Sequence, residues 1–168
     1  MKTRYVMQLD LRPRLAQPAH VARNPRPEER ELLAHLMLAA YRGGADDEGE
    51  TIAEALHEVD NVLVSADRPF MPEASFVIEV DAALASASLV SLFRGAPVIT
   101  HVMTHPHYKR RGLGVSALLS SANALRKQGW SSLSLYVTDS NGPALALYRK
   151  LGFQTTSTVT VPAAAGSS

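Results

Sequence analysis

Residues 105–115 read His105-Pro106-His107-Tyr108-Lys109-Arg110-Arg111-Gly112-Leu113-Gly114-Val115, and their types suit an anion. Lys109, Arg110 and Arg111 supply three adjacent positive charges. Gly112 and Gly114 let the backbone curl, and the helical spacing of Val115, Leu118, Leu119, Ala122 and Leu125 sets that curl at a helix N-terminus. The first N–H groups of a helix lack intrahelical partners, and the helix dipole favours negative charge beside them. Such a loop describes a pyrophosphate cradle made chiefly of backbone N–H groups.

Other readings of the loop are weaker. Gly112-Leu113-Gly114-Val115-Ser116-Ala117 also satisfies the loose dinucleotide fingerprint G-x-G-x-x-G/A. That fingerprint follows its strand almost directly and is joined by an acid ~20 residues on. Here a basic loop intervenes and the next acid is Asp139. No G-x-x-x-x-G-K phosphate loop occurs in the sequence. Three basic residues alone would read as a solvated turn, but that leaves the proline, the glycines and the helix behind them without a reason.

A scaffold must hold this loop. Pro13, Pro18, Pro25 and Pro27 make 12–27 a loop. Pro27 then suits a first helical turn, with Leu32, Leu33, Leu36, Met37, Ala40 and Tyr41 at helical spacing and Gly43-Gly44 closing the run. Thr51 and Glu54 have the form of a capping box ahead of an apolar stripe, Ile52, Leu56, Val59 and Leu63. From Ala74 onward, short runs rich in Val, Ile, Ser and Thr predict strands near 75–80, 84–93, 97–104, 132–138 and 154–161, with a hairpin at Asp81-Ala82-Ala83 and a further strand at Tyr5–Leu11. Val115–Leu125 and Ala144–Leu151 are the two remaining helices, the last ended by Gly152. The order β-α-α-β-β-β-α-β-α-β is an α+β arrangement, a mixed sheet with helices packed on it. Residues 1–161 read as one domain and 162–168 as a disordered tail.

The composition excludes several classes. The chain has 168 residues, 46% apolar and 20% charged, which is ordinary globular composition. Without cysteine there is no disulfide, no thiolate metal site and no cysteine nucleophile, and a reducing compartment is favoured. Lys2 and Arg4 resemble the opening of a signal peptide, but Gln8, Asp10 and Arg12 break the apolar run after them. No apolar run approaches the ~20 residues of a membrane span, so a cytoplasmic protein with no membrane partner is expected. The net charge of +1 conceals two opposed halves: 9 basic and 15 acidic residues over 1–81, against 8 basic and 1 acidic over 82–168. No aromatic stacking pattern accompanies the basic half, so nucleic acid is not the expected partner.

The pattern Pro106-x-x-Lys109-x-x-Gly112-x-Gly114 resembles the acetyl-CoA pyrophosphate motif of the GNAT superfamily of acyl-CoA-dependent N-acetyltransferases, Lys109 standing where that family usually has Gln or Arg. A second stretch is similar to the family's other cofactor segment: Leu133-Ser134-Leu135-Tyr136-Val137, then Asn141, Ala144, Leu147-Tyr148, Lys150 and Gly152-Phe153. The resemblance implies a mostly antiparallel sheet splayed at the cofactor site, with helices on both faces. It implies acetyl-CoA as acyl donor, its pantetheine arm against the backbone of Val102, Met103 and Thr104 and its pyrophosphate on Lys109–Val115. Asn141, which is also an ordinary helix N-cap, would hydrogen-bond the cofactor arm, Ala144 would belong to the same cofactor segment, and Tyr148 would protonate the leaving thiolate. A phenol near pKa ~10 can donate to a thiolate whose acid lies near ~8.5.

Many relatives carry a carboxylate on the strand before the loop, but Val98–Thr104 has none; His101 is its one readily titratable residue and the candidate base. His105 and His107 do not make a metal site without a third ligand, and the chemistry needs no metal. The acceptor would be a primary amine, of a small cationic molecule or a protein, drawn by Asp46, Asp47, Glu48 and Glu50. Dimers are common among similar proteins, and the sequence leaves open whether this chain is a monomer or a homodimer. The competing class is a non-catalytic acyl-CoA-binding domain of the same fold.

Overall fold

The computed structural model describes residues 1–43 and 47–162. Its elements are β1 (Lys2–Asp10), α1 (Arg30–Tyr41), α2 (Ile52–Leu63), β2 (Phe76–Val80), β3 (Ala83–Phe93), β4 (Ala96–Thr104), α3 (Leu113–Lys127), β5 (Ser132–Thr138), α4 (Gly142–Leu151) and β6 (Gln154–Val161). This is the order expected from the sequence. The expected strand at Tyr5–Leu11 begins earlier, at Lys2, which brings Arg4 inside it. Pro27 opens a 3-10 turn, Pro27–Glu29, rather than α1 itself. Gly44, Asp46 and residues 163–168, which include most of the expected tail, lie outside the described residues.

The six strands form one open sheet in the order β2-β3-β4-β5-β1-β6. Every neighbouring pair is antiparallel except β4 and β5, which are parallel and meet in register only at Val98 with Ser134 and Ile99 with Leu135. Beyond these two pairs the strands part, and Thr100–Thr104 has no strand partner on its β5 side. The first strand lies between β5 and β6, pairing Arg4 with Thr138 on one edge and with Val159 on the other.

A bulge sits where the strands part. Leu89 opposes His101 but Val90 opposes Ile99, so Thr100 is the extra residue, its hydroxyl donating to the Leu89 carbonyl at 3.2 Å. An inserted residue reverses the side-chain alternation beyond it. Ile99 and Val102 consequently pack with α3 and α4, while Met103 packs with α1 and α2.

Both faces of the sheet are covered, as expected. Leu33, Leu36, Met37 and Val59 of α1 and α2 bury against Val77, Ala87 and Leu89. On the other face Leu118, Ala122 and Leu125 of α3 and Leu145 of α4 close over Met7, Leu9, Leu133 and Phe153. Each such Leu, Met, Val or Phe side chain contributes about 1.5–3 kcal/mol by leaving water. The capping box of α2 forms in both directions, the Glu54 N–H donating to Thr51 Oγ1 at 3.2 Å and the Thr51 N–H to Glu54 Oε1 at 3.3 Å.

The proline-rich loop straps the α3 face. His20 Nε2 donates to the Arg111 carbonyl at 2.8 Å and the His20 N–H to Ser116 Oγ at 3.1 Å. Arg23 extends the sheet edge beside Val77 and is bound by the carboxylates of Glu29, at 2.6 Å, and Glu79. The Arg23 guanidinium, more than the Arg26 N–H, holds the buried Glu29 carboxyl below the usual range.

Candidate active site

The parting of β4 and β5 opens a cleft of about 1060 Å³ that passes through the sheet. On the α1/α2 side its walls carry Tyr41, Glu58, Ser91 and His101, and Arg4 reaches it from β1; Asn141, Ala144 and Tyr148 line it from α4. Two reagents can therefore reach one point from opposite faces, which is the arrangement a direct group transfer needs.

His101 owes its place to the bulge. Its side chain is 13% exposed, its ring lies 6.1 Å from that of Tyr41, and its Nε2 is 3.6 Å from Glu58 Oε1. Burial pushes its pKa down to about 4, so the imidazole is neutral at pH 7 despite the nearby carboxylate. Glu58 is half-exposed, and water weakens its pull. Nδ1 of His101 is buried without a hydrogen-bond partner.

Tyr148 packs against Phe153 with the rings tilted by 59° and their centroids 5.7 Å apart, and is part-buried at the cleft. Asn141 is the N-cap of α4: its Oδ1 accepts from the Ala144 N–H at 3.3 Å, while the residue still lines the cleft.

The segment expected to form the cradle continues from the end of β4. Arg110 and Gly112 adopt left-handed backbone, φ 65° and 75°, which turns the chain sharply into α3. Gly114 is required for a different reason: a Cβ there would stand 3.0 Å from Thr104 Oγ1. Lys109, Arg110 and Arg111 are exposed, and the Arg111 guanidinium lies 5.4 Å from the Tyr108 ring centroid. Leu113 is buried, so only its backbone can meet a ligand. Val115 is part-buried in the first turn.

Of the residues singled out in the sequence, the cleft gathers His101, Val102, Asn141, Ala144 and Tyr148. Met103 and Thr104 do not line it: Met103 is buried beneath α1 and α2, and Thr104 Oγ1 lies 3.0 Å from Ser86 Oγ. Lys109–Val115 also lies outside it, beyond the end of β4. Glu48 and Glu50 face the cleft, but Glu48 pairs with Lys2 at 3.3 Å and Glu50 accepts from the Glu48 N–H. Asp47 accepts from the N–H groups of Gly43 and Gly49, which lower its pKa. Asp46 is outside the described residues.

Sequence reasoning missed Arg4, Glu58 and Ser91. Arg4 preceded the expected strand, and Glu58 is one acid among many on a helix. Among the described residues no group of three or more His, Asp or Glu side chains is disposed for a metal, and no helix is long and apolar enough to cross a membrane.

The geometry has counterparts. The sequence model of the Acetyltransferase (GNAT) family matches residues 40–153. A mycothiol acetyltransferase of Saccharomonospora viridis is 42% identical over 68 residues, 39% of this chain and 22% of that protein. Among solved structures, a GCN5-related N-acetyltransferase from Sphaerobacter thermophilus superposes with a TM-score of 0.72 at 19% identity, covering 94% of this chain and 49% of that one. The PaiA N-acetyltransferase from Thermoplasma acidophilum, solved with coenzyme A, gives 0.61 at 19% identity over 80% of this chain and 89% of that one. The chain thus spans about a fifth of the curated relative and half of the first structure.

Proposed function

The chain belongs to the GNAT family of acetyltransferases, and from that premise we propose that it moves an acetyl group from acetyl-CoA to a primary amine by direct transfer in a ternary complex. The observation that carries this reading is the cleft through the sheet at the bulge, lined by His101 from one side and Tyr148 from the other. Acetyl-CoA supplies an acetyl thioester.

The residues present fit that donor. The free edge of Thr100–Thr104 offers backbone groups to an extended amide-bearing arm. Arg110 and Gly112 curl the backbone at the N-terminus of α3, and the missing Cβ of Gly114 lets the first turn of α3 seat against Thr104 at the end of β4. Lys109, Arg110 and Arg111 add charge for the phosphates.

In the transfer the amine nitrogen forms a bond to the carbonyl carbon and the carbon–sulfur bond breaks. The ammonium of the acceptor must lose one proton before attack and a second on becoming an amide, and the sulfur must gain one. Neutral His101 accepts the first, and Glu58 beside Nε2 stabilises the imidazolium so formed. Tyr148 gives its phenolic proton to the departing sulfur, and the second proton from the nitrogen restores the phenol. The Glu58 carboxylate also draws the cationic acceptor inward.

Release of free CoA thiol from acetyl-CoA, measured with an amine panel, tests the proposal. Tight acetyl-CoA binding with no thiol release from any amine would overturn it.

A further inference from the structure

Three side-chain atoms among the described residues are buried without a hydrogen-bond partner: Arg4 Nε, Ser91 Oγ and His101 Nδ1. Buried polar atoms are normally satisfied, and each exception needs a cause. All three residues line the same cleft, although they come from β1, β3 and β4. The other cations of that wall are engaged: Lys2 pairs with Glu48, and the Arg68 guanidinium lies 4.4 Å from the Phe93 ring centroid. The Arg4 guanidinium makes no hydrogen bond or ion pair with any described residue, and it is part-buried. A part-buried guanidinium of this kind is complementary to a carboxylate, which its fork can hold through two N–H groups.

We propose that Arg4 is the anion-binding residue of the acceptor site, so that the acceptor is a zwitterion, an amine that also carries a carboxylate. This rests on the transferase reading and names its substrate class. The amine lies at the His101–Glu58 end of the cleft and the carboxylate at the Arg4 end. Because β1 is two strands from β4, the two backbones are ~10 Å apart even where the sheet is intact. The mixed lining, with Glu48, Glu50, Glu54 and Glu58 beside Lys2, Arg4 and Arg68, suits a substrate of both signs better than a simple cation.

The test follows thiol release from acetyl-CoA with unbranched ω-amino acids of increasing chain length, their amides, and phosphoethanolamine. The native protein should favour acid over amide about ten- to a hundredfold in kcat/KM, with an optimum chain length. Arg4→Gln should bring that ratio towards one, and Arg4→Lys should keep part of it. A ratio of one in the native protein, which needs no variant to fold, overturns the proposal, as does an unchanged ratio in Arg4→Gln. Preference for phosphoethanolamine over every carboxylate would overturn the choice of carboxylate. Should no amine release thiol, the transferase reading fails separately. Calorimetric titration of acid and amide into the protein with CoA then decides the anion site: acid-selective binding lost in Arg4→Gln supports it, and binding of neither overturns it.

Discussion

His101 Nε2 on β4 stands 3.6 Å from Glu58 Oε1 on α2, a cross-element pair that sets a carboxylate beside the imidazole of the candidate base. A carboxylate beside an imidazole stabilises its charged form. Glu58→Gln should therefore lower kcat by about tenfold or more while leaving acetyl-CoA affinity within about twofold. Steady-state kinetics beside calorimetric donor binding reads both, and an unchanged kcat would remove Glu58 from the mechanism.

Burial of His101 should also make stability depend on pH. Its pKa is about 4 in the folded protein, against ~6.5 unfolded. Between these values the unfolded chain binds the extra proton, so stability falls as pH drops from about 6.5 to about 4 and levels off below. At most about 3 kcal/mol is involved. Urea unfolding of the native protein and His101→Gln at several pH values isolates the effect, since carboxylates common to both cancel in the difference. Parallel stability curves would refute it.

Tyr148→Phe keeps the ring packed on Phe153 and removes only the hydroxyl. Turnover should fall about a hundredfold, with far less change in donor affinity. Equal turnover in the variant would show that another group protonates the sulfur.

Gly114→Ala would set a Cβ 3.0 Å from Thr104 Oγ1. The crowding should cost about 1–2 kcal/mol of stability and weaken acetyl-CoA binding. Adding Thr104→Ala should restore most of the stability, because Ser86 Oγ keeps its bond to the Met103 carbonyl at 2.8 Å. A double-mutant cycle with no coupling between positions 104 and 114 would refute the contact.

The β2–β3 turn places Asp81 and Ala82 at φ 51° and 64°. Alanine is strained there, so Ala82→Gly should stabilise the fold by about 0.5–1 kcal/mol, read as a rise in Tm. A lowered Tm would contradict that strain.

Much of the scaffold was legible because it is written locally. Thr51 and Glu54 announce α2, Gly152 ends α4, and the glycines after Lys109–Arg111 mark the start of α3. The bulge at Thr100 was not legible, since neither glycine nor proline marks it and the hydroxyl that anchors it is an ordinary strand residue. Without the bulge the faces of His101 and Val102 cannot be assigned. Arg4 and Glu58 were hidden for another reason: each gains meaning only from a neighbour distant in sequence. The acidic loop was legible as charge, but the contacts of Asp47, Glu48 and Glu50 show how much of that charge is spent locally.

The position of β1 between β5 and β6 has a consequence for the order of assembly. The strand that precedes all the others in this domain acquires its flanking partners only after residues 132–161 have been synthesised. At ~5–20 residues per second that is a delay on the order of ten seconds, and long-range pairings of this kind are slow to close. Until then the nascent sheet ends at β4 and the cleft has no far wall. Within this domain the strand that carries Arg4 precedes every other element of the cleft, yet Arg4 takes its place among the last, so capacity to recognise an acceptor should emerge only once β5 and β6 have paired with β1.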